Sequence, residues 1–340
     1  MSSLQGLRRS LVCSIPTRAL RFTTSSTLRA NRAIYFEKTG DPSHVLSALT
    51  FPSLPAPPSG SVNVRFRLSP INPSDVNVVE GVYPSKPSGT QSLAEGHSLD
   101  NSIYVPGNEG LAEVTDVGSG VAGLQRGDWV VLSKQQGGTW ASARTIAAED
   151  VVKVPTSLSE VNAATITVGS VVHSYQHCHP HAMLGKPIIQ IAARKGWKTL
   201  NFVRNRKDIE ALKEQLTTLG ATQVVTYDDL NDRSLRDKVR EWTGGKQPLS
   251  LPTGAFIFKN LTTHGFWQSR WYKEKTREER EDLMRVLADL KLQEPAHEVL
   301  TIAGKETDEV AGAKVRQAIQ KMGEGQYGKK ILLRVEQPDD

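Results

Sequence analysis

The sequence has little cysteine: Cys13 and Cys178 are the two thiols among its 340 residues. With Cys13 in the N-terminal tail, a processed chain keeps one thiol, which excludes an internal disulfide and suits a reducing compartment. Nowhere do about 18 apolar residues run together, so the sequence offers no membrane-spanning helix. The first 36 residues lack aspartate and glutamate, yet they hold Arg8, Arg9, Arg18, Arg21, Arg29 and Arg32. Beyond them basic and acidic residues balance at 36 each, although the whole chain carries a formal charge of +6. The largest later charged run, "KEKTREER", alternates in sign. A nucleic-acid or membrane surface needs charge of one sign clustered, so neither partner is expected. There is also no internal repeat.

What is present divides the chain into a leader and two kinds of folded pattern. Residues 1–32 are Arg-rich, Ser/Thr-rich and free of acids, with apolar residues dispersed as in "LQGLRRSLVCSI". Such composition reads as a mitochondrial presequence and places the mature chain in the matrix. From Ala33 to about Val154, "SVNVRFRLS" alternates with period two, and "LAEVTDVGSG" and "RGDWVVLS" join strands to turns. Short strands at this spacing predict a barrel or partly open barrel. From Gly185 to about Asp229 the period lengthens: "PIIQIAARKG" and "KDIEALKEQLTTLG" have helical spacing, while "KTLNFVRN" and "TQVVTYDD" are short strands. Helix and strand in that order form the interior of a doubly wound parallel sheet. Two further helices, "EEREDLMRVLADLKL" and "AGAKVRQAIQKM", precede a closing strand "KKILLRV".

Three constellations carry more specific information. They are "INPSDVNVVEGVYP" (71–84) with "VPGNEGLAEVTDVGSGVAGLQRGDWVV" (105–131), "KTLNFVRNR" ending at Arg206, and "FIFKNLTTHGFWQSRW" (256–271). Together they resemble the zinc-free mitochondrial 2-enoyl thioester reductases (enoyl-acyl-carrier-protein reductases, fungal type) of the medium-chain dehydrogenase/reductase superfamily. The resemblance implies an α/β architecture: a GroES-like β-barrel catalytic domain from 33–165 and 294–340, and a Rossmann-type cofactor domain over 166–293. It also implies a homodimer, NADPH as cofactor, and trans-2-enoyl thioesters of acyl-carrier-protein or CoA as substrates in mitochondrial fatty acid synthesis.

The resemblance places the family's proton-donating tyrosine at Tyr83. Hydride addition to the β-carbon leaves negative charge on a thioester enolate, so an acid above the α-carbon is required. Read without the resemblance, Tyr83 is equally an aromatic at the edge of the core. Arg204, Asn205 and Arg206 stand where a Rossmann strand usually presents an acid to the ribose, and guanidinium groups there suit a 2′-phosphate. A solvated basic turn is the plain alternative. Phe266, Trp267, Gln268 and Ser269 match the segment beside the nicotinamide, and Lys329, with Lys330 as its neighbour, matches a C-terminal lysine of the cofactor site. No metal ligand is assigned: where zinc-dependent relatives place cysteine and histidine, this chain reads "NPSD" and "GNEG".

In two places the sequence departs from that pattern. The phosphate-binding turn should precede "GKPIIQIAARKG", but "HSYQHCHPHAM" stands there, without glycine or an apolar strand. Its histidines at 173, 177, 179 and 181 could gather a zinc, although no carboxylate lies nearby to orient them. Between Lys246 and Gln247 two further strands of the family are skipped. The Rossmann-type domain is therefore expected to be incomplete, short of roughly three strands, and to expose apolar helix faces at about 25 cal/mol per Å². A quinone-reductase-like oxidoreductase and a non-catalytic remnant that binds no nucleotide stay open as alternatives.

Overall fold

A computed structural model describes residues 30–83, 87–169, 185–203, 205–226, 228–231, 237, 268–324 and 329–339. Eleven strands are defined among them: β1 (Asn31–Tyr35), β2 (Ser47–Phe51), β3 (Ser61–Pro70), β4 (Leu111–Val117), β5 (Trp129–Leu132), β6 (Ala143–Ala147), β7 (Val151–Lys153), β8 (Leu200–Val203), β9 (Gln223–Thr226), β10 (His297–Ile302) and β11 (Lys330–Val335). The helices used below are α1 (Pro42–Val45), α2 (Pro73–Glu80), α3 (Glu160–Ala164), α4 (Ile166–Gly169), α5 (Gly185–Arg194), α6 (Ile209–Thr218), α7 (Gln268–Glu274), α8 (Arg277–Asp289) and α9 (Asp308–Gly323).

The organising element is β3, whose ten residues follow the alternation of "SVNVRFRLSP". It heads a seven-stranded sheet ordered β10-β11-β3-β4-β5-β7, with β6 also paired to β3. One edge of β3 meets β4, and the other meets β6 along Ser61–Arg65 and β11 at Ser69–Pro70. Register shifts at Asn63/Val64 and Phe66/Leu68 bend it, as bulges do when one strand must serve several neighbours. The C-terminal β10-α9-β11 unit is parallel and therefore needs the helical crossover that α9 supplies.

The N-terminal strand joins this frame through a buried cation. Arg32 is 2% exposed; its Nε donates to Asp308 Oδ1 at 2.9 Å and its Nη1 to the Ala303 carbonyl at 3.0 Å. Asn31 is equally buried. Both residues fall within the 1–32 leader assigned from composition, and the structure places them in β1, because a guanidinium saturated by the start of α9 is part of the fold.

The α/β unit is smaller. Strands β8 and β9 pair in parallel, Leu200 opposite Gln223, and α5 and α6 cover them with a cluster of Ile189, Val203, Leu216 and Ala221. Gly196 (φ 66°) and Gly220 (φ 103°) end the two helices in conformations that favour glycine. Ile191 on α5 reaches instead into the main core beside Met284 and Leu287 of α8. Among the described residues this sheet has two strands.

Candidate active site

Tyr83 is placed by the end of α2. Asn72 precedes Pro73 at the first helical position, and the N3 carboxylate Asp75 Oδ2 accepts the Asn72 amide at 2.8 Å, so the helix starts where sequence and capping agree. It stops at Gly81, φ 83°, where a Cβ would come within 2.9 Å of Thr39 Cβ. The next two amides, Val82 and Tyr83, both donate to the Asn77 carbonyl, at 3.0 and 3.1 Å. Tyr83 is thus tied by its backbone to the helix end. Its half-buried ring packs on the cluster formed by Ile34, Phe36, Ile71, Val79 and Trp140.

Behind α2 lies a buried polar network built from the "NPSD" and "GNEG" motifs. Asp75 Oδ1 accepts the Asn108 amide at 2.9 Å and Asn108 Nδ2 at 2.8 Å. Glu109 accepts Thr167 Oγ1 at 3.0 Å and Asn72 Nδ2 at 3.1 Å, and the Lys330 ammonium stands 3.8 Å from it. Asp75 and Glu109 are wholly buried. Burial pushes the Asp75 carboxyl up to about 6, against the pull of its Asn72 and Asn108 donors. Asn108 Oδ1 in turn accepts the Gln136 amide at 2.6 Å, which connects the network to the 133–138 loop. The signals for these residues were the "NPSD" and "GNEG" motifs themselves. Their pairing with Lys330 had no local signal.

Of the cofactor candidates, Asn205 and Arg206 follow β8. Asn205 Nδ2 donates to Asp228 Oδ2 at 2.9 Å, and Arg206 Nε lies 3.0 Å from Asp208 Oδ1. Lys186, on the first turn of α5, has its pKa lowered by burial and then by the charge of Arg206. Lys186 and Arg206 are thus close enough for their charges to interact, although each already has a partner: Lys186 donates to Gln215 Oε1 at 2.9 Å and Arg206 pairs with Asp208. Arg204, Phe266, Trp267 and the 173–181 histidine tract lie outside the described residues. Gln268 and Ser269 open α7, and their side chains also lie outside the description. Lys329 is exposed, whereas Lys330 is buried.

Comparison with known proteins identifies the fold and the family. Residues 58–156 match the alcohol dehydrogenase GroES-like domain. The mitochondrial enoyl-acyl-carrier-protein reductase of Schizosaccharomyces pombe is 35% identical over 316 residues, covering 77% of this chain and 84% of that protein. The chain belongs to the mitochondrial enoyl-acyl-carrier-protein reductase family. A second family member, from Yarrowia lipolytica, is 30% identical over 94% of both chains. Among solved structures, the Etr1p complex with NADP and crotonyl-CoA superposes with a TM-score of 0.73 at 25% identity, covering 90% of this chain and 99% of that one. The fold is therefore the α/β medium-chain reductase fold with its GroES-like domain. The Yarrowia match extends over 369 positions against the 340 residues of this reductase-family chain, so the relative carries at least 29 residues that this chain lacks.

Proposed function

We propose that the chain reduces trans-2-enoyl thioesters of acyl-carrier-protein or CoA with NADPH, in mitochondrial fatty acid synthesis. The reading is carried chiefly by the match over 94% of both chains with a reductase of that name. The position of Tyr83 on the loop after α2 supports it further. When bound, NADPH supplies the hydride for the substrate's β-carbon. Tyr83 delivers its phenolic proton to the α-carbon, and its backbone bonds to Asn77 hold the ring in place before the reaction. Arg204, Asn205 and Arg206, with Lys186 opposite, hold the 2′-phosphate and select NADPH over NADH. Phe266, Trp267, Gln268 and Ser269 flank the nicotinamide. Lys329, exposed and free of the Glu109 pairing that occupies Lys330, is the lysine available to the cofactor. The leader before Asn31 directs the chain to the matrix, and the working form is a homodimer, by analogy with the heterodimer solved for a Candida tropicalis enzyme.

The test is NADPH oxidation at 340 nm with trans-2-enoyl-CoA. Saturable turnover is expected; a folded chain that turns over no enoyl thioester rejects the reading. One observation favours a second reading, a remnant without nucleotide binding: the residues missing against the relative, together with a histidine tract at 173–181 in place of a glycine turn. NADPH fluorescence titration separates the two, because the remnant gives no saturation.

A further inference from the structure

Arg144 has no counterion among the described residues. It sits on β6, opposite Val64 of β3, half-buried. Among the described residues its guanidinium has neither an ion-pair nor a hydrogen-bond partner. Other arginines that are buried or half-buried are engaged: Arg32 by Asp308, Arg67 by Glu113 and Glu160, and Arg334 by Glu160. Burial without compensation lowers the Arg144 pKa. A desolvated guanidinium in a folded protein normally has a carboxylate, a carbonyl or a ligand opposite it.

The local backbone is shaped around this group. Gly138 has φ 73°, and a Cβ there would fall 2.0 Å from Arg144 Nη1 and 3.2 Å from its Cζ. The guanidinium therefore rests on the bare backbone of the Gly137–Gly138 turn, which Gly138 fixes by donating to the Gly107 carbonyl at 3.0 Å. It faces a cavity of about 440 Å³ lined also by Ser88, Thr90, Lys134, Gln136 and Asp150. Asp150 on the same wall is ion-paired with the Lys134 ammonium at 3.2 Å. A second cavity, of about 680 Å³, shares Lys134 and Asp150 and is walled by Arg277 and Arg280. The smaller cavity also adjoins the active-site network, because the Gln136 amide on its wall is bonded to Asn108, the partner of Asp75.

Resting on the reductase reading, we propose that Arg144, with Ser88 and Thr90, binds the phosphate of the 4′-phosphopantetheine arm that presents the thioester. That arm is the part shared by acyl-carrier-protein and CoA thioesters. It carries one phosphate at the end remote from sulfur, which fits a single guanidinium facing an open cavity whose lining also includes the hydroxyl residues Ser88 and Thr90, the latter bonded to the Ser92 backbone. Arg144 is a binding residue here; it fixes where the arm enters and so helps to register the enoyl group beneath Tyr83.

The test compares 4′-phosphopantetheine with pantetheine by isothermal titration on the full chain. The wild type should prefer the phosphorylated arm by about tenfold or more, the worth of one charge-assisted contact. Arg144→Gln should abolish that preference while keeping pantetheine binding and the melting temperature. Equal affinity of the wild type for the two arms, binding of neither, or a preference that survives in Arg144→Gln would overturn the proposal. If the variant fails to fold, protection of wild-type Arg144 from phenylglyoxal, read by peptide mass, decides. Phosphopantetheine should protect it, and protection by adenosine 2′,5′-bisphosphate alone would assign the anion to the nucleotide and overturn the proposal. These readouts need no turnover, so loss of the reductase reading shows separately as absent NADPH oxidation.

Discussion

The Lys330 ammonium lies 3.8 Å from Glu109 Oε2, with the two side chains 6% and 0% exposed. The pair joins β11, near the C-terminus, to the loop ahead of β4. Removing one member of a buried pair leaves an unpaired charge, so Lys330→Met should cost about 3 kcal/mol or more in urea unfolding. Removing both charges, in Glu109→Gln with Lys330→Met, should recover part of that loss. A double variant as unstable as the sum of the singles would show that the pair is not coupled.

Asp75 makes stability fall as pH rises. Its folded pKa, near 6, is above the unfolded value of about 3.9, so between those values the folded state binds the extra proton. The Asp75 contribution is greatest below about pH 4 and is lost as pH rises through about 6. Carboxyl carbon NMR of the folded chain should show one aspartate titrating near 6. Titration of every aspartate below 4.5 would contradict this environment.

On the proposed function, Tyr83→Phe removes the proton donor while leaving the ring on its hydrophobic seat. Turnover should drop by about 10²–10⁴, with NADPH affinity and melting temperature unchanged. Near-normal turnover would return Tyr83 to a purely packing role.

Arg206→Ala should raise the KM for NADPH by about tenfold or more and leave that for NADH nearly unaltered, since only NADPH carries the 2′-phosphate. A parallel loss with both nucleotides would mean that Arg206 supports the local fold.

Hydrogen exchange should be fast in residues 185–226 and slow in β3, β4 and β11. The small unit closes over four buried residues and a two-stranded sheet, whereas β3 is flanked by three strands. Short strand pairs with little apolar cover open at low free energy. Equal protection in the two regions would contradict this ranking.

Local pattern was enough for much of this protein. The fold adds the short helix α2 ahead of Tyr83, in a stretch that reads as strands and turns, whereas period-two alternation located β3, a strand-to-turn pattern located β4, and helical spacing with terminal glycines bounded α5 and α6. These are properties of a few adjacent residues, because propensity, capping and left-handed turns act over short range. That Asn31 and Arg32, grouped by composition with the basic N-terminal segment, form the start of β1 was not legible in this way. Arg32 reads as one more basic residue until Asp308 is folded against it. Tertiary structure alone decided that Lys330 rather than Lys329 is buried, that Glu109 and Asp75 are fixed by Thr167, Asn72 and Asn108, and that Arg144 faces a cavity unpaired among the described residues. Each of these depends on groups far apart in sequence brought together out of water. Burial sets the strength of a charge and the identity of its partner, and burial is a property of the packed chain.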